Sequence, residues 1–426
     1  MNMEERIRKL RSEEIQNHLA FIYGGGWKTL NYQLARYEAL LRRHEEIFGP
    51  RETVMIFSGP GRTEIGGNHT DHNRGRVLAG SINLDLLCAV SPREDNRVSF
   101  YSEGREPSLL ELSDTEVNPT EEGTTSAIIR GVADGMKRRG YRIGGFDAAA
   151  DSTVAAGGGM SSSAALEIML SGVFDGLYND FSMPFADRAQ IGRRAENLYF
   201  GKPSGLLDQM ASAAGGLVTV DFADEQNPVI EPISYDFAAR GYRLVVVATG
   251  GSHENLTDCY AAIPQEMKAV AAVFGRDVLR GLTEKDLLSH MSVLRSQVSD
   301  RAILRAFHFI TENDRVPEQV AALKEDRIED FLRLITDSGR SSFQYLQNIY
   351  ASEADQSLSL ALCMAESMLK GKGAWRIHGG GFAGTTLNFV PEEDVENFVR
   401  VMNDAFGEGA CHVLNIRPVG ADMIRL

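Results

Sequence analysis

The feature that most constrains this chain is the stretch 151–170, where glycines and serines lie between a predicted strand and a predicted helix. Residues 157–159 are glycines, which lack a Cβ and let the backbone turn tightly and approach a ligand closely. Residues 161–163 are serines, good cap residues, directly before a strongly helix-forming run at 164–170. A glycine loop that opens onto a buried helix directs several free N–H groups toward one point, where the helix dipole adds positive potential. The stretch therefore predicts a site for an anionic group such as phosphate.

The same pattern also occurs as an ordinary glycine turn before a core helix, and the stretch alone does not distinguish the two. It is not a Walker loop, because no Gly-Lys-Ser or Gly-Lys-Thr follows the glycines. It also lacks the three spaced glycines of the dinucleotide-binding fingerprint. The other motifs of the chain must decide between a turn and a phosphate site.

Composition limits the classes to which the chain can belong. A length of 426 residues is too great for one compact core, so two domains are expected. The 43% hydrophobic and 24% charged residues are typical of a soluble globular protein, and no apolar run is long enough to span a membrane. The net charge of −15 argues against a general nucleic-acid or anionic-membrane surface. The N-terminus lacks the apolar core of a signal peptide and the four cysteines lie far apart, so free thiols in a reducing cytoplasm are expected.

The hydrophobic pattern divides the chain into three regions. Residues 1–50 show amphipathic helical spacing and predict a helical extension. A short buried strand over 54–57 is expected to run into a polar, glycine-rich loop over 58–75. A shift to polar composition predicts a boundary between one domain over 51–225 and another over 226–426.

The later part of the chain contains a polar cluster, several predicted helices and a further glycine-rich loop. The cluster spans 193–209, and a strand is expected soon after it. Separate helices are expected over 301–312 and 317–324, with Pro317 at the start of the second. The further glycine loop, near 379–384, lies between two predicted strands.

Three glycine-rich loops in this order resemble the GHMP small-molecule kinases, and among them the galactokinase family. Segment 59–73 is similar to the family's sugar signature, segment 156–165 to its ATP-phosphate loop and segment 376–384 to its C-terminal glycine motif. Segment 195–209 matches the stretch that carries a magnesium ligand and the catalytic aspartate. The resemblance covers roughly residues 48–426, and the joint occurrence of the motifs is far more specific than any one loop.

The resemblance implies a two-domain α+β GHMP kinase fold, with a ribosomal-protein-S5-like N-terminal domain, a ferredoxin-like C-terminal domain and an N-terminal helical extension. It also implies transfer of a phosphoryl group from ATP, with Mg²⁺, to the anomeric hydroxyl of galactose. Arg62 would stabilise the attacking oxygen and the transferring phosphate, and Asp208 would act as base or hold the sugar hydroxyl. The other site residues that it implies are Asn68, His69, Asp71, Gly205 and Tyr260 for the sugar, Gly157, Gly158, Gly159, Met160, Ser161, Ser162 and Ser163 for ATP, and Ser163 and Glu196 for magnesium.

The charged residues of this set also have structural interpretations. Asp208 could cap a helix after the turn at 203–205, Glu196 could be a solvated helix carboxylate, and Arg62 could form a surface salt bridge. Phosphoryl transfer needs charge neutralisation and in-line positioning more than covalent help. An Asp beside an Arg has a lowered pKa and is a weak base, so Asp208 is expected mainly to orient the hydroxyl. His378, beside the third glycine loop, is expected to pack or to cap.

The sugar signature departs from the usual family pattern, Gly-Arg-x-Asn-Leu-Ile-Gly-Glu-His-x-Asp-Tyr. Here Glu64 stands where the family has Asn, and Asn68 stands where the family has Glu. In the family that Glu accepts a hydrogen bond from the C6 hydroxyl of galactose, whereas an amide also donates. Asn68 could therefore tolerate a C6 carboxylate, which makes galacturonate the sharpest alternative substrate. L-arabinose, which lacks C6, and N-acetylgalactosamine are further alternatives.

Other function classes remain open at this stage. A non-catalytic galactose sensor would tend to lose residues of the ATP loop, whereas here the serines at 161–163, Glu196, Arg62 and Asp208 are all present. A mevalonate or homoserine kinase is a third possibility, against which the sugar signature speaks. We expect a cytoplasmic, monomeric enzyme that binds a sugar and a nucleotide, with no nucleic-acid or membrane partner.

Overall fold

A computed structural model describes residues 1–154, 159–202, 204–225, 227–250, 256–350, 352–382 and 384–426. These residues form an eight-stranded sheet, a four-stranded antiparallel sheet and the helices that cover them. The expected α+β class is therefore confirmed. In the described part of the chain, no helix combines the length and the apolar content needed to cross a membrane.

The strands belong to two separate sheets. In chain order they are β1 (Met55–Gly66), β2 (Arg76–Pro92), β3 (Arg97–Ser102), β4 (Ser108–Glu111), β5 (Phe146–Ser152), β6 (Leu217–Asp221), β7 (Val229–Ile233), β8 (Tyr242–Ala248), β9 (Ala374–His378), β10 (Thr385–Pro391), β11 (Cys411–Leu414) and β12 (Asp422–Arg425). The larger sheet has the order β12-β1-β2-β5-β3-β4, and β6 and β7 extend from β2. The smaller sheet has the order β11-β8-β10-β9. Strands β3 and β5 run parallel, and the neighbours of β1 are antiparallel to it.

Helices cover both faces of the larger sheet and surround the smaller one. In chain order they are α1 (Met3–Leu10), α2 (Glu13–Tyr23), α3 (Trp27–Phe48), α4 (Thr125–Arg138), α5 (Ser162–Tyr178), α6 (Phe185–Ala195), α7 (Leu207–Ala214), α8 (Thr257–Val273), α9 (Glu284–Ser289), α10 (Met291–Gln297), α11 (Asp300–Lys324), α12 (Ile328–Ser341), α13 (Ser357–Leu369) and α14 (Val395–Phe406). A π-helical turn, Glu196–Phe200, directly follows α6.

Strand β1 carries the first half of the sugar signature, although the polar composition of this segment predicts a loop. The loop predicted over 58–75 begins only after Gly66, because β1 stays paired with β2 up to that residue. The register of the pairing shifts between Pro60 and Arg62, so the ladder of β1 and β2 is irregular just before Arg62. The polar residues of this strand had suggested a solvated loop, but the structure buries them and gives them partners.

Helix α5 packs directly on β1, and a glycine makes the close approach possible. A Cβ on Gly59 would lie 2.7 Å from the backbone N of Met169, a distance that real side chains do not adopt. The backbone N–H of Arg62 donates to the carbonyl of Met160, 3.1 Å away, just before α5 begins. The N-terminus of α5 therefore lies over the part of β1 that holds Arg62.

The predicted N-terminal helical extension is present as α1, α2 and α3. These helices pack against one face of the larger sheet, where Ile56, Leu87 and Ala149 belong to their hydrophobic cluster. The next residues of the same strands, Phe57, Cys88 and Ala150, belong to the core on the opposite face, with α4 and α5. Because successive side chains of a strand point to opposite faces, the sheet lies between two helical layers.

Helix α11 is continuous, so the prediction of two separate helices over 301–312 and 317–324 was wrong. Pro317 lies inside α11, where it lacks an N–H for helical hydrogen bonding. Val316 and Val320 are nevertheless buried in the main core on either side of it. Packing of this apolar face outweighs the local cost of the proline.

Two strands that follow residue 225 in the chain belong to the larger sheet. Strands β7 and β12, which lie after that residue, pair with β6 and β1 in the larger sheet. The boundaries over 51–225 and 226–426 stay a prediction, and these two strands would cross them.

Candidate active site

Arg62 and Asp208, which are distant in sequence, form a two-pronged ion pair. Nε of Arg62 donates to Oδ1 of Asp208 at 2.7 Å, and Nη2 donates to Oδ2 at 2.9 Å. Arg62 comes from β1 and Asp208 from the first turn of α7. Arg62 is 7% exposed, so the pair is largely removed from water and the surface salt bridge considered above does not occur.

The residues that precede α5 contact this pair directly. Nη1 of Arg62 donates to the carbonyl of Gly159, and the Ser161 hydroxyl donates to Oδ2 of Asp208. Ser161 holds the N-cap position of α5, but its hydroxyl makes no capping bond, so the expectation that it caps the helix was wrong. Its backbone is left-handed, with φ of 55°, a conformation that costs energy in a non-glycine residue and often accompanies a functional site.

The electrostatics of the pair favour an ionised carboxylate. Burial by itself would raise the pKa of Asp208, but the Arg62 guanidinium and the hydrogen bonds from Arg62 and Ser161 lower it overall. Asp208 therefore carries a negative charge at neutral pH and is a weak base. This agrees with the expectation that it orients a hydroxyl rather than removing its proton early.

A second polar cluster surrounds Glu196, which is 1% exposed. Oε1 of Glu196 accepts from the Ser163 hydroxyl at 2.7 Å and from the Lys202 ammonium at 2.8 Å. Oε2 accepts from the Ser204 hydroxyl at 2.6 Å and from Nε2 of Gln209 at 2.8 Å. Glu196 is therefore not a solvated carboxylate, and it lies next to Ser163, as the resemblance implied.

The predicted ATP-binding residues are described only in part. Gly157 and Gly158 lie outside the described residues. Gly159 and Ser161 contact the ion pair as stated above, and Ser162 is the first residue of α5. The remaining predicted residue, Met160, is 1% exposed with its side chain in the main core, so any ligand contact must come from its backbone.

Four of the predicted sugar-binding residues lie around the third glycine loop or beside the start of α7. Nε2 of His69 lies 3.1 Å from the carbonyl of Gly380, and the Tyr260 hydroxyl donates to the carbonyl of Gly381 at 3.1 Å. A Cβ on Gly205 would lie 2.2 Å from Oδ2 of Asp71, so the Asp71 carboxylate lies directly against Gly205. Asp71 thus lies against the residue three positions before Asp208.

Asn68 does not face a cavity in this structure. Its amide donates to Oε1 of Glu64 at 2.9 Å and to the carbonyl of Gly379 at 2.7 Å. Its oxygen accepts from the Ser342 hydroxyl at 3.1 Å and from Nδ2 of Asn348 at 3.0 Å. An amide has two donors and two acceptor positions, and all four are occupied. Because Asn68 is also 0% exposed, the expectation that it meets a sugar substituent has no support here.

Glu64 and Arg376 complete the surroundings of Asn68. Nη2 of Arg376 donates to the same Oε1 of Glu64, at 2.9 Å. Burial raises the pKa of Glu64, although the positive charges of Arg376 and Arg62 oppose this. The family's carboxyl and amide positions are thus exchanged in this chain, and the two exchanged side chains are hydrogen-bonded to each other.

His378, the last residue of β9, is bonded to both β1 and β10. Its Nε2 accepts from the backbone N–H of Glu64 at 3.3 Å, so Nδ1 carries the proton and donates to the Thr385 hydroxyl at 2.9 Å. Burial, followed by the charges of Arg62 and Arg376, holds the pKa of His378 well below its usual value. These contacts are those of a packing residue.

Stability is expected to fall between about pH 6.5 and about pH 4, because three buried histidines stay neutral in the folded chain. Burial is the main cause that lowers the pKa values of His308, His378 and His44, the last to about 4. The unfolded chain binds protons at these residues from about pH 6.5 downward, so acid favours unfolding by up to about 1.4 kcal/mol per pH unit for each histidine. Urea denaturation near neutral pH and near pH 5 measures the change.

His69 and His412, whose pKa values burial also lowers, act in the same direction as these three. His18, whose pKa is raised by its hydrogen bond to Asp422, and the carboxyls of Glu64, Glu167 and Asp175, whose pKa values burial raises, act in the opposite direction. As the matched control, His44→Gln should reduce the pH dependence by the share of one histidine. A free energy of unfolding that stays constant or rises toward pH 5 would contradict the prediction.

Three charged residues of the site were not singled out from the sequence. Lys202 contacts Glu196, Arg376 contacts Glu64, and Glu312 of α11 accepts from the backbone N–H groups of Gly67 and Asn68. Lys202 and Arg376 lie within recognised motifs, so a signal was present, but their partners could not be inferred. No motif marks Glu312.

Comparisons with known proteins extend this description. The family model for the galactokinase galactose-binding signature matches residues 42–92, and that for the GHMP kinases N terminal domain matches residues 127–216. The fold is similar to the crystal structure of Lactococcus lactis galactokinase complexed with galactose, with TM-score 0.79 and 24% identity over 91% of this chain and 99% of that one. It is also similar to Methanococcus jannaschii mevalonate kinase, with TM-score 0.60 and 17% identity over 88% and 98%. Fold and site together define a GHMP kinase.

Relatives in sequence narrow this class. The galactokinase of Streptomyces coelicolor is 31% identical over 364 residues, which are 85% of this chain and 91% of that protein. A galactokinase of Actinobacillus pleuropneumoniae is 32% identical over 370 residues, or 86% and 92%. The chain belongs to the galactokinase family and is a phosphotransferase with an alcohol group as acceptor.

Proposed function

We propose that this chain transfers the γ-phosphoryl group of ATP to the anomeric hydroxyl of galactose. The observation that carries the proposal is the ion pair between Arg62 and Asp208, which lies against Gly159 and Ser161 at the N-terminus of α5. A cation and a hydroxyl-orienting carboxylate beside a helix N-terminus are what phosphoryl transfer requires. The relatives named galactokinase, and the lactococcal structure complexed with galactose, support the choice of sugar.

The two charged residues have different tasks in this proposal. Asp208, held ionised by Arg62 and Ser161, accepts a hydrogen bond from the anomeric hydroxyl and aims its oxygen at the phosphorus. Asp208 holds Arg62 in place by accepting from two of its nitrogens. The guanidinium thus stays beside the transferring group and neutralises the charge that develops on it. The N–H groups at the start of α5 hold the phosphates.

Ser163 and Glu196 fit a magnesium ion. A hydroxyl and a carboxylate oxygen are 2.7 Å apart, and hard oxygen donors of this kind are those that Mg²⁺ prefers. The Lys202 ammonium already places a positive charge on Oε1 of Glu196, and its side chain is 55% exposed, so it has room to move away. When bound, the ion would neutralise phosphate charge. Ser163 and Glu196 would hold it, and Ser204 and Gln209 would keep Glu196 in place.

Glu196→Gln is expected to raise the Mg²⁺ concentration needed for half-maximal activity by about tenfold or more, because it removes a carboxylate ligand. Activity measured over a range of Mg²⁺ concentrations at saturating ATP tests this. Glu38→Gln, which removes the carboxylate that pairs with Arg11 and Arg42 on the N-terminal helices, is the control and should leave the requirement unchanged. An unchanged requirement in Glu196→Gln would remove Glu196 from the proposed magnesium site.

Galactose is favoured over galacturonate because of the charges around the site. Asp71 lies against Gly205, Asp208 follows three residues later in the first turn of α7, and the Glu64 carboxyl interacts with Arg62 of the same strand. A second carboxylate brought by the sugar would meet like charges, a costly arrangement. Asn68, which had suggested room for such a group, is fully bonded within the protein.

The test is ADP release with galactose, galacturonate, L-arabinose and N-acetylgalactosamine. We expect kcat/KM for galactose to exceed that for galacturonate by about tenfold or more. A preference for galacturonate would overturn the choice of sugar, and no sugar-dependent ADP release would overturn the kinase function and leave a sugar sensor. The presence of Arg62, Asp208, Ser163 and Glu196 in one site favours the enzyme. We further propose that the enzyme acts as a monomer in the cytoplasm.

A further inference from the structure

We infer that Lys202 competes with the divalent cation for the Glu196 carboxylate, and that it thereby sets the Mg²⁺ concentration at which the enzyme works. The inference rests on the proposed function, because it deepens the assignment of Glu196 to a magnesium site. It gives a task to a charged residue that belongs to neither the catalytic pair nor the proposed metal ligands.

Lys202 binds the same carboxylate oxygen that the Ser163 hydroxyl contacts. Its ammonium lies 2.8 Å from Oε1 of Glu196, and the Ser163 hydroxyl donates to this oxygen at 2.7 Å. The other oxygen, Oε2, accepts from the Ser204 hydroxyl at 2.6 Å and from Nε2 of Gln209 at 2.8 Å. A divalent cation shared by Ser163 and Glu196 would therefore have to displace the ammonium from Oε1.

Two cations cannot share this oxygen at low cost. Like charges at such short separation repel each other, and the repulsion is stronger where water is excluded. Glu196 is 1% exposed, so little water screens the two charges. The ammonium must leave before a metal ion binds, and the apparent affinity for the metal is reduced to the extent that the ammonium is in place.

The side chain of Lys202 is able to leave, because only its end is held. It is 55% exposed, and lysine has a flexible four-carbon stem with a strongly hydrated charge. The backbone N–H of Lys202 also donates to the carbonyl of Glu196 at 3.1 Å. This bond does not depend on the side chain, so the lysine stays beside the carboxylate after its ammonium has turned into water.

Without a bound metal ion, the positive charge of Lys202 stabilises the fold. Among the residues that the structure describes, Lys202 is the one that forms an ion pair with Glu196. Nε2 of Gln209 joins Glu196 to a second buried carboxyl, that of Glu167, at 3.0 Å. Burial and the charge of Glu196 hold the pKa of Glu167 well above its usual value. Because a buried carboxylate without its cation is costly, either Lys202 or a metal ion is needed here.

Lys202→Met tests the inference with little risk to folding, because it removes the ammonium from a largely exposed side chain. We expect Mn²⁺, measured by electron paramagnetic resonance on the full chain with and without ADP, to bind about threefold to tenfold more tightly. The Mg²⁺ concentration for half-maximal activity should fall in the same proportion. In EDTA the midpoint of thermal unfolding should fall by about 1 °C or more, and Mg²⁺ should raise it more than in the unmodified chain.

Two further variants separate charge from other effects. Lys202→Arg keeps the positive charge and should leave unfolding in EDTA close to that of the unmodified chain. Lys372→Met is the matched control, since it removes a lysine that is 47% exposed and pairs with Asp394 at 2.6 Å. Lys372 precedes the start of β9, whereas the site lies at the other end of that strand, so this variant should change neither Mn²⁺ binding nor the effect of EDTA.

Equal or weaker Mn²⁺ binding in Lys202→Met, or unchanged unfolding in EDTA, would overturn the inference. The Glu196→Gln variant distinguishes this failure from that of the proposed site. If Glu196→Gln binds Mn²⁺ as tightly as the unmodified chain, the magnesium site fails, and this inference with it. If Mn²⁺ binding depends on Glu196 but Lys202→Met does not tighten it, only the competition is refuted.

Discussion

Replacing Asp208 by asparagine is expected to lower kcat by about a hundredfold to ten-thousandfold. The reason is that this side chain loses the negative charge with which it accepts the sugar hydroxyl and pairs with Arg62. Asparagine keeps the shape of the side chain, so the position of α7 should not change. The bond from Ser161 can persist to the amide oxygen, which leaves the start of α5 in place. Steady-state ADP release with galactose measures the effect, and binding of ADP alone should change far less.

Asp147→Asn is the control for this substitution. Asp147 also pairs with two arginines, Arg51 and Arg93, but near the start of β5, at the end of that strand away from the glycine loop that follows it. It should retain activity. A value of kcat within about tenfold of the unmodified chain for Asp208→Asn would show that Asp208 neither orients nor deprotonates the hydroxyl.

Asn68→Glu, the change that restores the usual family residue, is expected to lower the free energy of unfolding by about 3 kcal/mol or more. It removes the two hydrogen bonds that Asn68 donates to Glu64 and to the Gly379 carbonyl, and it places a second carboxyl next to the first in a buried site. Arg376 already donates to Oε1 of Glu64, so it cannot also compensate a second carboxylate at position 68. Urea denaturation gives the difference.

The double variant Glu64→Asn with Asn68→Glu is expected to recover at least half of that loss, since it re-forms an amide and carboxyl pair in the family's arrangement. Ser342 and Asn348 can donate to a carboxylate at position 68 as they do to the amide oxygen. If the loss of unfolding free energy in the double variant equals the sum of the losses in the two single variants, the two positions are not coupled. That result would contradict the hydrogen bond between them.

The sequence predicted the site in its outline because its motifs are local. Glycines and serines before a helix, and a run of polar residues after a strand, can be recognised without knowing where distant segments lie. The meeting of Arg62 with Asp208 came from family resemblance, since no local pattern relates two residues that far apart. Long-range pairs such as Arg376 with Glu64 could not be predicted, because each residue is unremarkable in its own segment.

Two errors have a common physical cause. The polar composition of β1 predicts a loop and Pro317 predicts a break between two helices, whereas the structure has a strand and one continuous α11. In both cases local propensity was the guide, and tertiary contacts outweighed it: partners compensate the buried charges of Arg62 and Glu64, and apolar packing holds α11 together. Asn68 shows the same limit at the level of function, since a substitution at a binding position can be absorbed by a second substitution nearby.

The pairing of β12 with β1 has a consequence for the order in which the molecule is made. Met55 lies opposite Arg425, so the strand that carries Arg62 has an unpaired edge until residues more than three hundred positions later have left the ribosome. Contacts of such large sequence separation form late, and an open strand edge is prone to pair with other chains in the meantime. The edge of β1 from Met55 to Ser58 is therefore expected to stay open to pairing with other chains until β12 has been made.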